Sequence, residues 1–145
     1  TSGNESLTGT GAVETIDGLA GNDTIVGGAG DYLVGGEGND SISGAGGYTI
    51  DGGAGDDTMT GIGNDVYLYS PGQGNDQINE SSATSPADTI SVAEGITAQD
   101  IYFQKYGSSS DLILKTLGQT GKLTISGHFN SASKRIESLV LSDTT

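Results

Sequence analysis

The chain has 145 residues, 26 of them glycine, and its 19 acidic and 5 basic residues give a formal charge of -14. So acidic a chain lacks the Lys and Arg that bind phosphates, which excludes nucleic acid and anionic membranes as expected partners and favours cations. The absence of cysteine excludes disulfides and thiolate metal sites, and no apolar run is long enough to span a bilayer. At its start, TSGNES lacks the basic and apolar regions of a signal peptide.

The composition changes near residue 80. Residues 1–80 hold 21 glycines and 13 carboxylates without any Lys or Arg, whereas residues 81–145 hold all 5 bases and 6 acids. This change predicts a glycine-rich region over 1–80 and a capping region over 81–145, packed as one unit. High charge with few apolar residues would usually indicate disorder in the first region. The spacing of its apolar residues argues against disorder.

Single apolar residues recur along the first region at intervals of nine and eight residues. From Ile25 to Tyr67 the two intervals alternate without exception, which defines a 17-residue unit with two turns and two short strands. A flexible linker would not keep apolar residues at such regular intervals, so the linker interpretation is disfavoured. The positions are Leu7, Ile16, Ile25, Leu33, Ile42, Ile50, Met59, Tyr67 and Ile78.

An acidic residue stands two places before all but one of these nine apolar residues, and the exception is Tyr48. Glycine often stands four places before them. The arrangement recurs in GLAGNDTIV from residue 18, GGEGNDSIS from 35 and GGAGDDTMT from 52, and GQGNDQI from 72 closes the series. Glycine permits the positive-φ backbone of a tight turn that exposes carbonyl oxygens. Carbonyl oxygens together with an Asp carboxylate are ligands that calcium prefers.

These segments resemble the GGxGxDxUx nonapeptide of RTX, or haemolysin-type calcium-binding, proteins. The resemblance implies an all-β fold, a right-handed parallel β-roll of about four 17-residue coils with a C-terminal β-strand cap. It also implies Ca²⁺ between stacked turns, because one turn offers too few of the six to eight oxygens that the ion takes. RTX modules belong to larger proteins exported by type I secretion, which implies an extracellular or cell-surface location.

The alternating spacing places the turns on two sides of the coil. Side A comprises the turns that end at Asp23, Asp40, Asp57 and Asp76, and side B those that end at Glu14, Asp31, Tyr48 and Asp65. Three side B turns are one residue short, and one of them has no carboxylate. We therefore expect three calcium ions on side A and none, or weak ones, on side B. The third side A gap departs from the pattern, since its spacing is 19 residues and Ser70-Pro71 replaces the opening glycines.

The resemblance implies a ligand set for each side A ion, in which the two flanking carboxylates join four main-chain carbonyls. The carboxylates belong to Asp23, Asp40, Asp57 and Asp76. The carbonyls are those of Leu19, Gly21, Gly35 and Glu37 for the first ion, Gly36, Gly38, Gly52 and Ala54 for the second, and Gly53, Gly55, Pro71 and Gln73 for the third. Weaker candidates are Glu5, which could begin a fourth site with Asp23, and Asp31 and Asp65 on side B.

The second region contains five short apolar segments that predict strands: DTISV, DIYFQKY, DLILKTL, KLTIS and RIESLVLS. With SPGQGNDQI before them, they resemble the haemolysin-type calcium-binding-related segment that follows RTX repeats. A terminal cap of this kind would cover the open edge of a parallel coil. Tyr67 and Tyr69 are expected to cover the widening end of the roll.

Two functions follow from these patterns. The first is a calcium-dependent folding module that contacts neighbouring domains of a larger secreted protein. The alternative is a calcium-dependent polysaccharide-binding module, similar to the R-modules of mannuronan epimerases, or an adhesin segment, with candidate sugar-stacking residues Tyr32, Tyr48, Tyr102 and Tyr106. The -14 charge opposes an anionic ligand such as alginate. Catalysis is not expected, because His128 is the only histidine and no triad arrangement surrounds it.

Overall fold

The structure, a computed structural model, describes residues 2–44, 46–80, 87–130 and 136–142. Within these ranges the chain forms fourteen strands and no helix. The strands are β1 (Ser6–Thr8), β2 (Thr15–Asp17), β3 (Thr24–Gly27), β4 (Tyr32–Glu37), β5 (Ser41–Gly44), β6 (Thr49–Ala54), β7 (Thr58–Gly61), β8 (Val66–Tyr69), β9 (Asn75–Glu80), β10 (Thr89–Val92), β11 (Ile101–Gln104), β12 (Leu112–Thr116), β13 (Lys122–Ile125) and β14 (Ser138–Leu141).

Successive strands of the repeat region alternate between two sheets. One sheet has the order β1-β3-β5-β7-β9-β13-β12-β11, and the other has the order β14-β10-β8-β6-β4-β2. Strands one coil apart pair in parallel and in register, so that Ile25 lies beside Ile42 and Leu33 beside Ile50. This arrangement confirms the predicted parallel β-roll. Turns of side A lead into the first sheet, and turns of side B lead into the second.

The core is a stack of inward side chains from successive strands of the roll. Because side chains alternate between the two faces of a strand, these short strands have only one or two inward positions each, and most of them supply one large apolar residue. Leu7 and Ile16 at the open end are partly buried against this stack. The remaining predicted core residues are all buried: Ile25, Leu33, Ile42, Ile50, Met59, Tyr67 and Ile78. Tyr69 is buried as well. A core this thin buries little apolar surface per residue, so the roll needs additional stabilisation.

One inward position of the first sheet holds glycine in three successive coils: Gly27, Gly44 and Gly61. A Cβ at each would collide with a side chain from the other sheet, respectively Leu33, Tyr48 and Tyr67. Glycine here makes room for a large neighbour. In the fourth coil the residue paired with Gly61 is Glu80.

The burial of Tyr48 corrects one expectation. Its side chain fills the space beside Gly44 and is 2% exposed, so it is a core residue and cannot stack on a sugar ring. Burial of the Tyr48 ring in the core stabilises the fold. This role explains why side B has a tyrosine at this position in place of a carboxylate.

The chain beyond residue 80 extends both sheets of the roll. Strand β10 pairs in parallel with β8, and β14 pairs in parallel with β10. Strand β13 pairs in parallel with β9, after which β12 and β11 add antiparallel strands. The parallel stacking thus continues past the change in composition. No helix among the described residues is long and apolar enough to cross a membrane.

Asparagine and aspartate side chains tie neighbouring side A turns together. The backbone N–H of Asn22 donates to Asn4 Oδ1, and that of Asn39 donates to Asn22 Oδ1, both at 2.9 Å. The same bond continues from Asp56 to Asn39 and from Asn75 to Asp56. Each bond joins residues one coil apart, so these side chains hold the register of the stack.

Candidate metal centre

The side A carboxylates form a column, in which each side chain reaches back to the preceding coil. The backbone N–H of Asp23 donates to Asp40 Oδ1 at 2.7 Å, and that of Asp40 donates to Asp57 Oδ1 at 2.9 Å. The bond from Asp57 N–H to Asp76 Oδ1 is longer, at 3.2 Å. The structure thus brings all four predicted side A carboxylates together and holds one oxygen of each of the last three.

The second carboxylate oxygen of three column members has no hydrogen-bond partner among the described residues. These atoms are Oδ2 of Asp23, Asp40 and Asp57. Each of these residues is at most 3% exposed, so water does not compensate for the missing partner. An unpaired buried carboxylate oxygen is costly unless it is protonated or meets a cation.

Burial also raises the pKa of three carboxyls of the column. The pKa of Asp57 rises to about 7, chiefly through burial and further through the neighbouring carboxylates of Asp76 and Asp40. Burial raises the pKa of Asp76 to about 6, and it raises that of Asp40 as well. The backbone N–H from the preceding coil opposes these shifts without cancelling them. When these buried carboxylates are ionised, a nearby cation is therefore needed to compensate their charge.

Main-chain carbonyls of the next turn lie beside the unpaired oxygens. A Cβ at Gly18 would lie 2.5 Å from both Asp23 Oδ2 and the carbonyl oxygen of Gly35. A Cβ at Gly35 would collide in the same way with Asp40 Oδ2 and the carbonyl oxygen of Gly52. Because both positions are glycine, the space stays open and is lined by carboxylate and carbonyl oxygens. Such a donor set fits a hard cation, calcium in particular.

Other predicted carbonyl ligands also line the gaps between turns. In the first gap Glu37 N–H donates to the carbonyl of Leu19, and Gly21 N–H donates to the carbonyl of Glu37, both at 2.8 Å. In the second gap Gly38 N–H donates to the carbonyl of Ala54, and in the third gap Gly55 N–H donates to that of Gln73, both at 2.7 Å. Each carbonyl oxygen has two lone pairs, so these bonds leave one for a ligand.

Close stacking of the turns depends on glycine at specific positions. A Cβ added at Gly38, Gly53 or Gly55 would collide with the carbonyl oxygen of Gly21, Gly36 or Gly38 respectively. Gly38, Gly53 and Gly55 all have a positive φ. Leu19 adopts a φ of 71° at the position that Gly36 takes one coil later. A non-glycine residue in that region is strained, which is typical of functional turns.

The third side A gap is less complete than the first two. The atoms nearest to a Cβ at Gly52 all belong to Asp57, so no carbonyl comes as close as those of Gly35 and Gly52 do in the earlier gaps. The carbonyl oxygen of Pro71, at the position equivalent to Gly35 and Gly52, is not among these three atoms. The spacing of this gap is 19 residues, whereas that of the second gap is 17.

The weaker candidate Glu5 occupies the side A position one coil before Asp23. Its backbone N–H donates to Asp23 Oδ1 at 2.7 Å, which repeats the bond of the column. The carbonyl oxygen of Gly3 lies where a Cβ at Gly21 would be. Residues 3–5 therefore stack on the first complete turn as the end of a preceding one.

Side B differs, because its carboxylates at Glu14 and Asp31 are satisfied within the protein. Asp31 Oδ1 accepts the N–H of Glu14 at 2.8 Å, and Asp31 Oδ2 accepts the N–H of Gly28 at 2.6 Å. The Glu14 carboxylate accepts both the N–H and the hydroxyl of Thr10, at 2.7 Å each. Asp31 is about as buried as Asp40, yet both of its oxygens already accept a backbone N–H.

Asp65 is the exception on side B. Its Oδ1 accepts the N–H of Tyr48 at 2.9 Å, and its Oδ2 has no partner among the described residues. Glu80 and Asp88, which the sequence did not indicate as ligands, bring carboxylate oxygens within 4.8 Å of it and of each other. The alternation in β9 carried a signal for Glu80, since Ile78 points inward and the residue two places later does too.

Comparison with known families agrees with this geometry. The RTX calcium-binding nonapeptide repeat (4 copies) matches residues 8–31, 30–47 and 49–67. The Haemolysin-type calcium binding protein related domain matches residues 111–145. No curated protein matched the chain significantly. The repeat matches include Asp23, Asp40 and Asp57 and end before Asp76, the member of the less complete third gap.

Proposed function

Because the chain belongs to the RTX, haemolysin-type calcium-binding proteins, we propose that it is a non-catalytic module of a larger secreted protein that folds outside the cell on binding calcium. The observation that carries the proposal is the column of buried side A carboxylates with an unpaired Oδ2. The adjacent carbonyls of Gly35 and Gly52 complete a set of hard oxygen donors.

The free energy of folding explains why calcium is required. The thin apolar core contributes little, and the column places buried negative charge in successive coils. Calcium, when bound, supplies the positive charge that the column lacks. Ligands that bind only the folded state stabilise it by about 2.7 kcal/mol at 100 times their dissociation constant. Several such sites amount to a large share of the ~5–15 kcal/mol that stabilises a typical domain.

Calcium concentration then decides where the module folds. Extracellular calcium modules have dissociation constants of about 10⁻⁴ to 10⁻³ M, so the far lower cytosolic concentration leaves such sites empty. In the absence of calcium, the 13 carboxylates of residues 1–80 meet no Lys or Arg in that region and repel one another. An open chain of this kind is suited to export before folding. We place the module at the cell surface or outside the cell on this ground.

The proposal is tested by far-UV circular dichroism of metal-free protein during a calcium titration. We expect a cooperative gain of β-structure that chelator reverses. Magnesium is the matched control, because its rigid octahedral geometry at about 2.0–2.1 Å suits these turns poorly. Identical spectra with calcium and with chelator would refute calcium-dependent folding.

A second candidate function is calcium-dependent polysaccharide binding by the cap. Tyr102 and Tyr106 are 37% and 59% exposed, and Lys105 Nζ lies 4.5 Å from the ring centroid of the half-exposed Phe129. Exposed aromatic faces beside a cation suit sugar rings that carry a carboxylate. Two further bases, at 134 and 135, lie outside the described residues. Oligouronate added to the calcium-loaded protein should shift amide resonances near Tyr102, and an unchanged spectrum would exclude this role.

A further inference from the structure

Three carboxylates converge where the roll meets the cap. Asp65 ends the last side B turn, Glu80 ends β9, and Asp88 directly precedes β10. They are 0%, 4% and 0% exposed, and one ligand oxygen from each lies within 4.8 Å of the other two. Asp65 Oδ2, Glu80 Oε2 and Asp88 Oδ2 have no hydrogen-bond partner in the described part of the chain. The cluster therefore combines buried charge with three oxygens available to one ligand.

The other oxygen of each carboxylate accepts a hydrogen bond. Asp65 Oδ1 accepts Tyr48 N–H, and Asp88 Oδ1 accepts Asp65 N–H, both at 2.9 Å. Glu80 Oε1 accepts the hydroxyl of the fully buried Tyr67. These bonds orient the three side chains and leave their second oxygens unpaired. Such preorganisation is what a binding site needs from its surroundings.

The sequence places Glu80 in the cluster by breaking a local pattern. Its position faces the interior, and its counterparts in the preceding coils are Gly44 and Gly61. A Cβ at Gly61 would collide with Tyr67 and with Asp65 Oδ2. In the fourth coil a carboxylate therefore stands at a position where the earlier coils have glycine.

In the described part of the chain, the charged groups that act on Glu80 and Asp88 are carboxylates, among them Asp65 and Glu137. The pKa of Glu80 is raised to about 8, chiefly by burial and also by the neighbouring carboxylates of Asp88 and Asp65, against the opposing Tyr67 hydrogen bond. Burial likewise raises the pKa of Asp88 to about 6. A cation bound by all three carboxylates would compensate their buried charge, and the alternative is a proton shared between Glu80 and Asp88.

We propose that Asp65, Glu80 and Asp88 form a calcium site at the junction of the roll and the cap. Oxygens on opposite sides of a calcium ion are about 5 Å apart, because each lies about 2.3–2.6 Å from the ion. One oxygen from each of the three carboxylates lies within 4.8 Å of the other two, which is inside this limit. The oxygens can therefore surround calcium without a rearrangement.

The site would join three parts of the molecule. Asp65 belongs to a turn of the roll, Glu80 ends a strand of the first sheet, and Asp88 leads into the second sheet beyond the repeats. Calcium bound at this site would hold β10 in place against the roll. The site shares no ligand with the side A column, so it can be tested separately from the folding of the repeats.

Isothermal titration calorimetry of Glu80→Gln tests the site. Glutamine keeps the shape of the side chain and the acceptor for Tyr67, and it imitates a protonated Glu80. We expect this variant to bind one calcium ion fewer than the wild type. The matched control is Glu94→Gln at an exposed position, which should bind the wild-type number. An unchanged number in Glu80→Gln would overturn the metal site and favour the shared proton.

A measurement on the wild type keeps the test independent of variant folding. In saturating calcium, the side-chain carboxyl carbon resonance of Glu80 should stay constant from about pH 6 to about pH 9, because a bound metal keeps the group ionised. A titration step near pH 8 would show a proton in place of the metal and would overturn the site. The Asp40→Asn variant should lose side A ions. In that variant the Glu80 resonance still reports on the junction site alone.

Discussion

Asp40 and Asp31 are equally buried aspartates at equivalent turn positions, and the structure predicts opposite responses to substitution by Asn. Asp40 lies between two side A gaps, since its Oδ1 faces Asp23 N–H in the preceding coil and its Oδ2 lies beside the carbonyl of Gly52 in the next. Asp31 uses both oxygens to accept backbone N–H groups. Asp40→Asn should therefore remove two calcium ions, and Asp31→Asn should remove none.

The expected losses of stability are large in both variants but differ in origin. At 10 mM calcium and a dissociation constant of about 10⁻⁴ M, each ion contributes about 2.7 kcal/mol, so Asp40→Asn should lose about 5 kcal/mol. In Asp31→Asn the amide NH₂ can take the place of Oδ2 opposite Gly28 N–H. Losing a hydrogen bond to a charged acceptor costs about 1.5–3 kcal/mol, and calcium does not change that cost.

The assay is the free energy of unfolding, measured by denaturant titration at several calcium concentrations. Each bound ion adds about 1.4 kcal/mol for every tenfold rise in calcium. The slope for Asp40→Asn should fall by about 2.8 kcal/mol per tenfold change relative to the wild type, which corresponds to two ions. The slope for Asp31→Asn should equal that of the wild type. Equal slopes in the two variants would refute the assignment of the calcium column to side A.

Two further predictions concern the space around the column and its protonation. Gly35→Ala should weaken calcium binding at the second gap at least tenfold, because its Cβ would meet Asp40 Oδ2 and the Gly52 carbonyl. The control is Gly11→Ala, whose Cβ would have no atom within 4 Å and which should bind calcium normally. Calorimetry measures both affinities. In metal-free protein the pKa of Asp57 is raised to about 7 and that of Asp76 to about 6. These groups therefore stabilise the fold below about pH 4, and this stabilisation is lost as the pH rises through 6–7. Circular dichroism of chelator-treated protein should therefore show more β-structure at pH 5 than at pH 8, and the reverse order would contradict the raised pKa values.

The repeat made the roll and its core predictable from the sequence. A strand has a side-chain period of two, and a tight turn needs glycine at fixed places, so apolar residues at a regular spacing determine which side chain of each coil faces inward. Ile25 and Ile42 pair as this spacing requires. The same phase predicted that Asp23, Asp40 and Asp57 stack in one column, because each coil repeats the geometry of the last.

The tertiary structure alone decided features that the repeat does not determine. Tyr48 turned into the core because Gly44 leaves space for its ring, and Asp31 proved to be satisfied by the N–H of Gly28. Asp65 and Asp88 are 23 residues apart, a separation outside the repeat, and Glu80 meets them from the other sheet. Contacts of this kind depend on how elements of different length fold back on one another. The sequence by itself therefore determined the coil and its column of carboxylates, and only the packed molecule brought together the carboxylates at the junction.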